Sequence, residues 1–226
     1  MFSFKQFIEL WKTADSLTQA LEDSHVMLES THQMFTESVK SLRRSDSSDV
    51  AINIYEMDQT INRYERRVRR KVLKHLAIAG GVNMIPGLIL TSIVIDIERI
   101  GDYTKNIKDL AVSHPERLRC GRYEEDIQKI EEGVGEIYTE VVPAVKASDT
   151  EAARKTIKNH WWIIKKCDEI VEDLIKAPDP QLNPSDAIAT ALYTRYLKRI
   201  SAHLINIATS IINPFERIGF HEDEET

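Results

Sequence analysis

Residues 96–109 read DIERIGDYTKNIKD, and a related pattern returns a hundred residues later as KRISAHLINI at 198–207. In the first stretch Ile97, Ile100, Thr104 and Ile107 recur at spacings of three and four, which puts them on one face of a helix. Glu98 and Asp102 stand four apart on the same helix. Carboxylates at i and i+4 are neighbours that repel by a few tenths of a kcal/mol, so something positive should lie close to them. A hard metal ion and a basic side chain are the two candidates. Laying residues 98–107 over 198–207 matches Arg99 with Arg199, Ile100 with Ile200, Asn106 with Asn206 and Ile107 with Ile207. Asp58 in MDQTIN falls in the same way over Asp168 in CDEIVE, at an offset of 110. Two homologous units are the economical explanation, with the ten-residue difference absorbed between the second and third helices of the first.

Working outward, Phe7, Ala14, Leu21, Leu28, Phe35 and Leu42 fall seven apart, with Leu10, Leu17 and Val39 in the companion row. This heptad stripe predicts a long helix over roughly 5–43, packed at a shallow angle on others. Ser45, Asp46 and Ser48 offer capping oxygens for a second helix, whose stripe runs Val50, Ile54, Met57, Ile61, Tyr64, Val68 and Val72 and ends at Gly80 and Gly81. Pro86 suits the first turn of the third helix. After the break SHPERLRCGR, Tyr123, Ile127, Ile130, Val134, Ile137 and Val141 mark a fourth helix, and Ile157, Trp161, Ile164, Val171 and Leu174 a fifth. The prolines of APDPQLNPSD end it, and Ser185 or Asp186 then caps a sixth with Ile188, Ile200, Leu204, Ile207 and Ile211. No segment alternates with period two. The expectation is an all-α protein of two tandem three-helix bundles, six long antiparallel helices: residues 1–115 with the acidic signature, and 116–226 with a degenerate copy of it and an acidic tail.

Composition narrows the function. With 226 residues and 42% apolar content the chain can bury a sizeable core. Thirty basic against 36 acidic side chains, a net charge of −6, argue against a nucleic-acid binder, whose affinity rests on neutralising phosphates. Cys120 and Cys167 form neither a disulfide framework nor a zinc motif, so the chain reads as cytosolic. Its N-terminus lacks the apolar run and cleavage site of a secretory signal. Leu76–Ile95 is uncharged and of membrane-spanning length, but Gly80, Gly81, Asn83, Pro86 and Gly87 interrupt it, predicting a helix end, a turn and a helix start. No glycine-rich phosphate loop is present, because Gly80 and Gly81 lack the GK[ST] sequel, and no Ser or Cys nucleophile has an evident base. The chain is not expected to be an enzyme.

At Glu98, Arg99, Ile100, Gly101 and Asp102, followed by Asn106, the sequence resembles the PhoU-type regulators of phosphate uptake. These are tandem three-helix bundles with a Glu/Asp-x-x-x-Asp signature on the last helix of each unit, and the resemblance covers residues 5–213. It implies a non-enzymatic cytosolic adaptor that restrains a phosphate transporter subunit and its sensor kinase; peripheral docking at the inner face of the cell membrane is a separate expectation, from the basic run taken up below. It also implies a metal site at Glu98 and Asp102 with Asp58 as a third ligand. Carboxylates without thiolates or clustered histidines select Fe, Mn, Mg or Ca. The plainer reading is a solvated pair balanced by Arg63, Arg66 or Lys105. In the second unit Lys198 and Ala202 replace the acidic pair, so a symmetric pair of centres is not expected, and the chain fits a divergent branch that accompanies low-affinity or sodium-coupled transporters.

Three other constellations bear on function. Glu22 with His25 and Glu29 with His32 have the Glu-x-x-His spacing of carboxylate-bridged di-iron bundles, which makes a ferritin-like oxidase the alternative. Both lie on one helix about 10 Å apart, however, where such a site needs two facing helices, and polar layers with Ser24 and Thr31 are the simpler account. Trp161 and Trp162 cannot both point inward from one helix. Finally, Arg66, Arg67, Arg69, Arg70, Lys71 and Lys74 crowd the end of the second helix, directly before the apolar turn at Met84, Ile85 and Leu88. Arg66, Arg70, Lys74, Met84 and Ile85 therefore suit docking to an anionic membrane surface or a transporter's cytosolic face. A homodimer interface, or the first helix, is the alternative cover for that tip.

Overall fold

A computed structural model describes residues 15–46, 50–79, 81, 83–114, 116–177 and 179–220. The heptad positions Phe7, Leu10 and Ala14, the candidate cap Ser48, Gly80, Pro178 and the acidic tail lie outside the described residues. The helices are α1 (Asp15–Arg43), α2 (Ile54–Ala79), α3 (Met84–Ser113), α4 (Glu124–Ala147), α5 (Thr150–His160), α6 (Trp162–Lys176) and α7 (Pro184–Ile212), with 3₁₀ turns at Gly121–Tyr123 and Phe215–Arg217. Among the described residues there is no strand, and no helix is long and apolar enough to cross a membrane.

The fold is the expected all-α pair of three-helix bundles. The fifth rod comes in two pieces, α5 and α6, because the helix is interrupted at Trp161. That residue keeps right-handed helical dihedrals (φ −57°, ψ −29°), and its N–H still reaches the Ile157 carbonyl at 3.0 Å, so the two pieces continue one another. Trp161 packs against the core, whereas Trp162 is 42% exposed.

The first unit is α1–α3. Asp23 on α1 accepts from Arg67 and Lys71 on α2, and Ser16 lies 3.3 Å from His75, so the two helices run antiparallel. Val68, Val72, Ile93, Ile97 and Ile100 line the buried seam with Leu28 and Phe35. Gly101 allows a close crossing there: a Cβ at this position would stand 3.3 Å from Ile61 Cδ1.

Two caps differ from expectation. Asn53, not Ser45 or Asp46, opens α2, its side-chain oxygen accepting from Glu56 N at 3.2 Å. The preceding linker is drawn along α1 by a hydrogen bond from Ala51 N to Glu37 Oε2 (3.2 Å), which carries the helix start downstream. Asn183 caps α7 by accepting from Asp186 N at 2.9 Å, with Pro184 at the first helical position. Proline there needs no amide donor, so the residue before it becomes the cap. The turn between α2 and α3 uses positive φ at Gly81 (89°) and Asn83 (62°), so the uncharged stretch is a helix end, a turn and a helix start.

The two units are joined by chain and by packing. Leu118 N donates to Leu42 O (2.8 Å), and the buried Arg43 guanidinium reaches Glu131 (2.8 Å), Glu124 and the Leu118 carbonyl. Tyr193 OH of α7 donates to the same Glu131 oxygen at 2.8 Å. Along the middle of the molecule α3 packs against α7, antiparallel, as extensively as helices pack within a unit.

Candidate cation site and docking face

The α2–α3 groove of the first unit gathers acids. Asp58 and Glu65 on α2 and Glu98 and Asp102 on α3 are all half-buried. Burial, then the negative charge of Asp102, raises the Glu98 pKa above its ordinary value, with Glu65 and Asp58 adding to the effect against Arg99. Burial, then Asp102 again, does the same for Asp58, opposed by Lys105. These shifts mark Glu98 and Asp58 as carboxylates crowded by Asp102, a crowding that Arg99 and Lys105 do not offset. None of Asp58, Glu98 and Asp102 has an ion-pair partner within 4 Å among the described residues: Arg63 donates to Thr60 at 2.7 Å, Lys105 faces Asp109 at 3.7 Å, and Arg69 takes Glu65 at 3.0 Å. Asn62 is the nearest donor to Asp58, at 3.4 Å.

The donor chemistry fits a hard cation, since Asp58, Glu98 and Asp102 offer only carboxylate oxygens and none of them is held in an ion pair by the described residues. The arrangement stops short of a cage, because no three His, Cys, Asp or Glu side chains among the described residues converge on one point. Asp58, Glu98 and Asp102 thus form an acidic groove.

The equivalent groove of the second unit is closed by the protein itself. Lys198 stands at the position of Glu98 and Asp168 at that of Asp58, and Lys198 Nζ lies 2.5 and 2.6 Å from the two Asp168 oxygens. An internal ammonium there supplies the positive charge that the first groove lacks. The sequence signal was present in the repeat alignment, which put Lys198 over Glu98, but the pairing itself needs the α6–α7 register.

Sequence reasoning missed the polar cluster between the units. Asp96 Oδ1 accepts from His203 Nδ1 (2.7 Å) and Asn206 Nδ2 (3.2 Å), with Asp96 and His203 both buried. Arg199 donates to Tyr103 OH at 3.2 Å and to His203 Nε2 at 3.3 Å. Under the repeat register Asp96 corresponds to Tyr196 and His203 to Tyr103, and those two rings also meet, 6.2 Å apart. The interface is a pseudo-twofold in which one pair is hydrogen-bonded and its mate aromatic. Arg199, His203 and Asn206, spaced by four and three on an apolar helix, were the available signal.

The basic run is sorted by the structure. Arg67 and Lys71 are held by Asp23, whose carboxyl is lowered: burial pushes it up, but hydrogen bonds from Arg67 and Lys71 outweigh that. Arg69 pairs with Glu65. Arg66, Arg70 and Lys74 face outward with no acidic partner within 4 Å among the described residues. Met84 and Ile85 are 51% and 48% exposed at the adjoining turn.

The histidine pairs of α1 are otherwise engaged. Burial, then the Lys146 charge, lowers His25 to about 4. His32 stacks on Tyr138 at 4.6 Å between ring centres, and Glu29 binds Lys146 at 2.5 Å.

Tandem three-helix units, with an acidic pair on the third helix of the first and a lysine-closed copy in the second, define a class of duplicated helical-bundle proteins. The sequence profile described as "PhoU domain" matches residues 25–111 and again 127–211, and the chain belongs to the PhoU family. No curated protein matches it. Among solved structures, that titled "Crystal structure of PhoU from Pseudomonas aeruginosa" superposes with a TM-score of 0.77 at 22% identity, covering 88% of this chain and 96% of that one. The phosphate transport system regulatory protein PhoU from Streptococcus pneumoniae gives 0.75 at 15% identity, covering 87% and 93%. At these identities the likeness is one of fold.

Proposed function

We propose that this protein is a cytosolic, non-enzymatic regulator of phosphate transport, an adaptor that binds a phosphate transporter subunit and its sensor kinase. The observation that carries the reading is the double family match, one copy on each three-helix unit. The docking face is the outer end of α2 with the turn after it, Arg66, Arg70, Lys74, Met84 and Ile85, where unpaired cations border exposed apolar side chains. The acidic groove is the place where a hard ion of the Fe, Mn, Mg or Ca class would bind, held by Glu98, Asp102 and Asp58. Such an ion would relieve the repulsion that raises Glu98 and Asp58. Supporting that assignment, the second groove places an ammonium where the first has none.

The test is an affinity pull-down from phosphate-replete cells, with metal measured on the same material purified without chelator. A co-purifying transporter subunit is expected, together with metal that Glu98→Ala/Asp102→Ala loses. Absence of any transporter component sinks the adaptor, and equal metal in both proteins sinks the ion site.

A further inference from the structure

The thirty residues Arg66–Ile95 contain no Asp or Glu, in a chain whose 36 acids give it a net charge of −6. On α2 this acid-free stretch has a definite geometry. Arg66, Arg70 and Lys74 recur every fourth residue on the solvent side, so their charges are spread along about 12 Å of helix. The same side continues toward the turn with Leu73 and Ile78, exposed at 70% and 77%. Met84, Ile85 and Leu88 of α3 extend the apolar end. A basic row that leads into exposed aliphatic side chains is left without cover by the other described residues.

We infer that this face lies on an anionic phospholipid bilayer, with the basic row over the headgroups and the aliphatic end inserted at the acyl boundary. The inference rests on the docking reading above and names the surface that receives it. Charge complementarity carries the choice, because an acid-free strip on an acidic protein is drawn to a negative surface while the rest of the molecule is repelled. The apolar composition points the same way. Protein interfaces concentrate energy in aromatic anchors seated in pockets, whereas Leu73, Ile78 and Ile85 are flexible aliphatics standing clear of the surface. Scattered aliphatic side chains beside cations are what a headgroup boundary accommodates, where each needs only hydrocarbon and no matched pocket.

Co-sedimentation of the full chain with vesicles tests this, using phosphatidylglycerol mixed with phosphatidylcholine against phosphatidylcholine alone. Wild type is expected to sediment with the first, not the second, and to be released by added salt. Arg66→Glu/Arg70→Glu/Lys74→Glu should lower partitioning roughly a hundredfold. Ile78→Asp/Ile85→Asp should lower it about tenfold while leaving helix content and unfolding midpoint as in wild type, since both side chains are exposed. The inference is overturned if wild type stays in the supernatant with anionic vesicles, if it binds both compositions equally, or if both variants bind like wild type. Sedimentation velocity without lipid covers the competing occupant: a dimer that both variants dissolve would give this face to a second copy. Pull-down of a detergent-solubilised transporter subunit separates this inference from the adaptor reading. Retained pull-down with no vesicle binding sinks the lipid surface alone, and vesicle binding with no pull-down sinks the adaptor alone.

Discussion

Glu98 shows how a single residue carries both a cost and a use. Its carboxylate sits half-buried among Asp102, Glu65 and Asp58, and burial together with their charge holds its pKa above the ordinary 4.5. The folded state therefore disfavours the ionised form more than the unfolded chain does. Below pH 4.5 both states carry the proton and the group costs nothing. As the pH rises through the raised folded value the cost appears, and it persists at neutrality. Glu98→Gln cannot ionise, so it should be more stable than wild type by about 0.5 kcal/mol at neutral pH, a figure kept small because solvent screens the groove. The difference should vanish below pH 4.5 when urea midpoints are compared across pH, and a variant less stable at neutral pH would show that the groove is compensated after all. The pair Glu98 and Asp102 was legible in the sequence because i and i+4 on a helix are neighbours whatever the fold. Its neighbours were less so. Asp58 entered through family resemblance, and Glu65 is recognised only when α2 is laid against α3, since nothing local in the sequence says which turns of two helices meet.

At the scale of the element, the six rods follow from hydrophobic periodicity, and Ile54, Ile61, Val68, Val72, Ile97, Ile100 and Ile107 are all buried as their spacing requires, whereas Ile188, expected on the stripe of the sixth, is exposed near that helix's start. Helix ends were harder. Ser45 and Asp46 are as good as Asn53 at capping in isolation, and the choice is made by a contact from Glu37 that the sequence does not display. The α6–α7 pair offers the sharper test of the repeat, because it answers the acidic groove with Lys198 and Asp168. Lys198→Glu removes an ion pair in which Asp168 is half-exposed and adds a like-charge contact, so a loss of about 1 kcal/mol is expected. Adding Asp168→Lys reverses both charges and should restore stability to within a few tenths of a kcal/mol, as a double-mutant cycle in urea would register. Two additive losses would mean that the pair is a chance surface contact and that the second groove has no need of an internal cation.

The whole molecule depends on α3 and α7, each of which is the last helix of its own bundle and the partner of the other's. Periodicity marked both helices as apolar, but it cannot say that they cross units; their polar residues do. Asp96 and His203 are buried across that seam with the half-buried Asn206 beside them, and Arg43 ties α1 to Glu131 of α4 at its edge. With two independent polar networks spanning the boundary, neither unit can open without stripping Asp96 and Arg43 of the side-chain partners that the other unit supplies. The protein should therefore unfold in one transition despite its duplicated build. Trp161 and Trp162 both lie in the second unit, so in a Trp11→Phe background tryptophan fluorescence reports that unit alone, while far-ultraviolet circular dichroism reports both. The two urea curves should coincide. Asp96→Ala strands His203 and Asn206 without their acceptor, and should lower the common midpoint by the equivalent of about 2 kcal/mol. If fluorescence and dichroism instead separate in the parent, the units are thermodynamically independent and the α3–α7 seam is a contact of convenience; if they separate only in Asp96→Ala, that one carboxylate is what couples them.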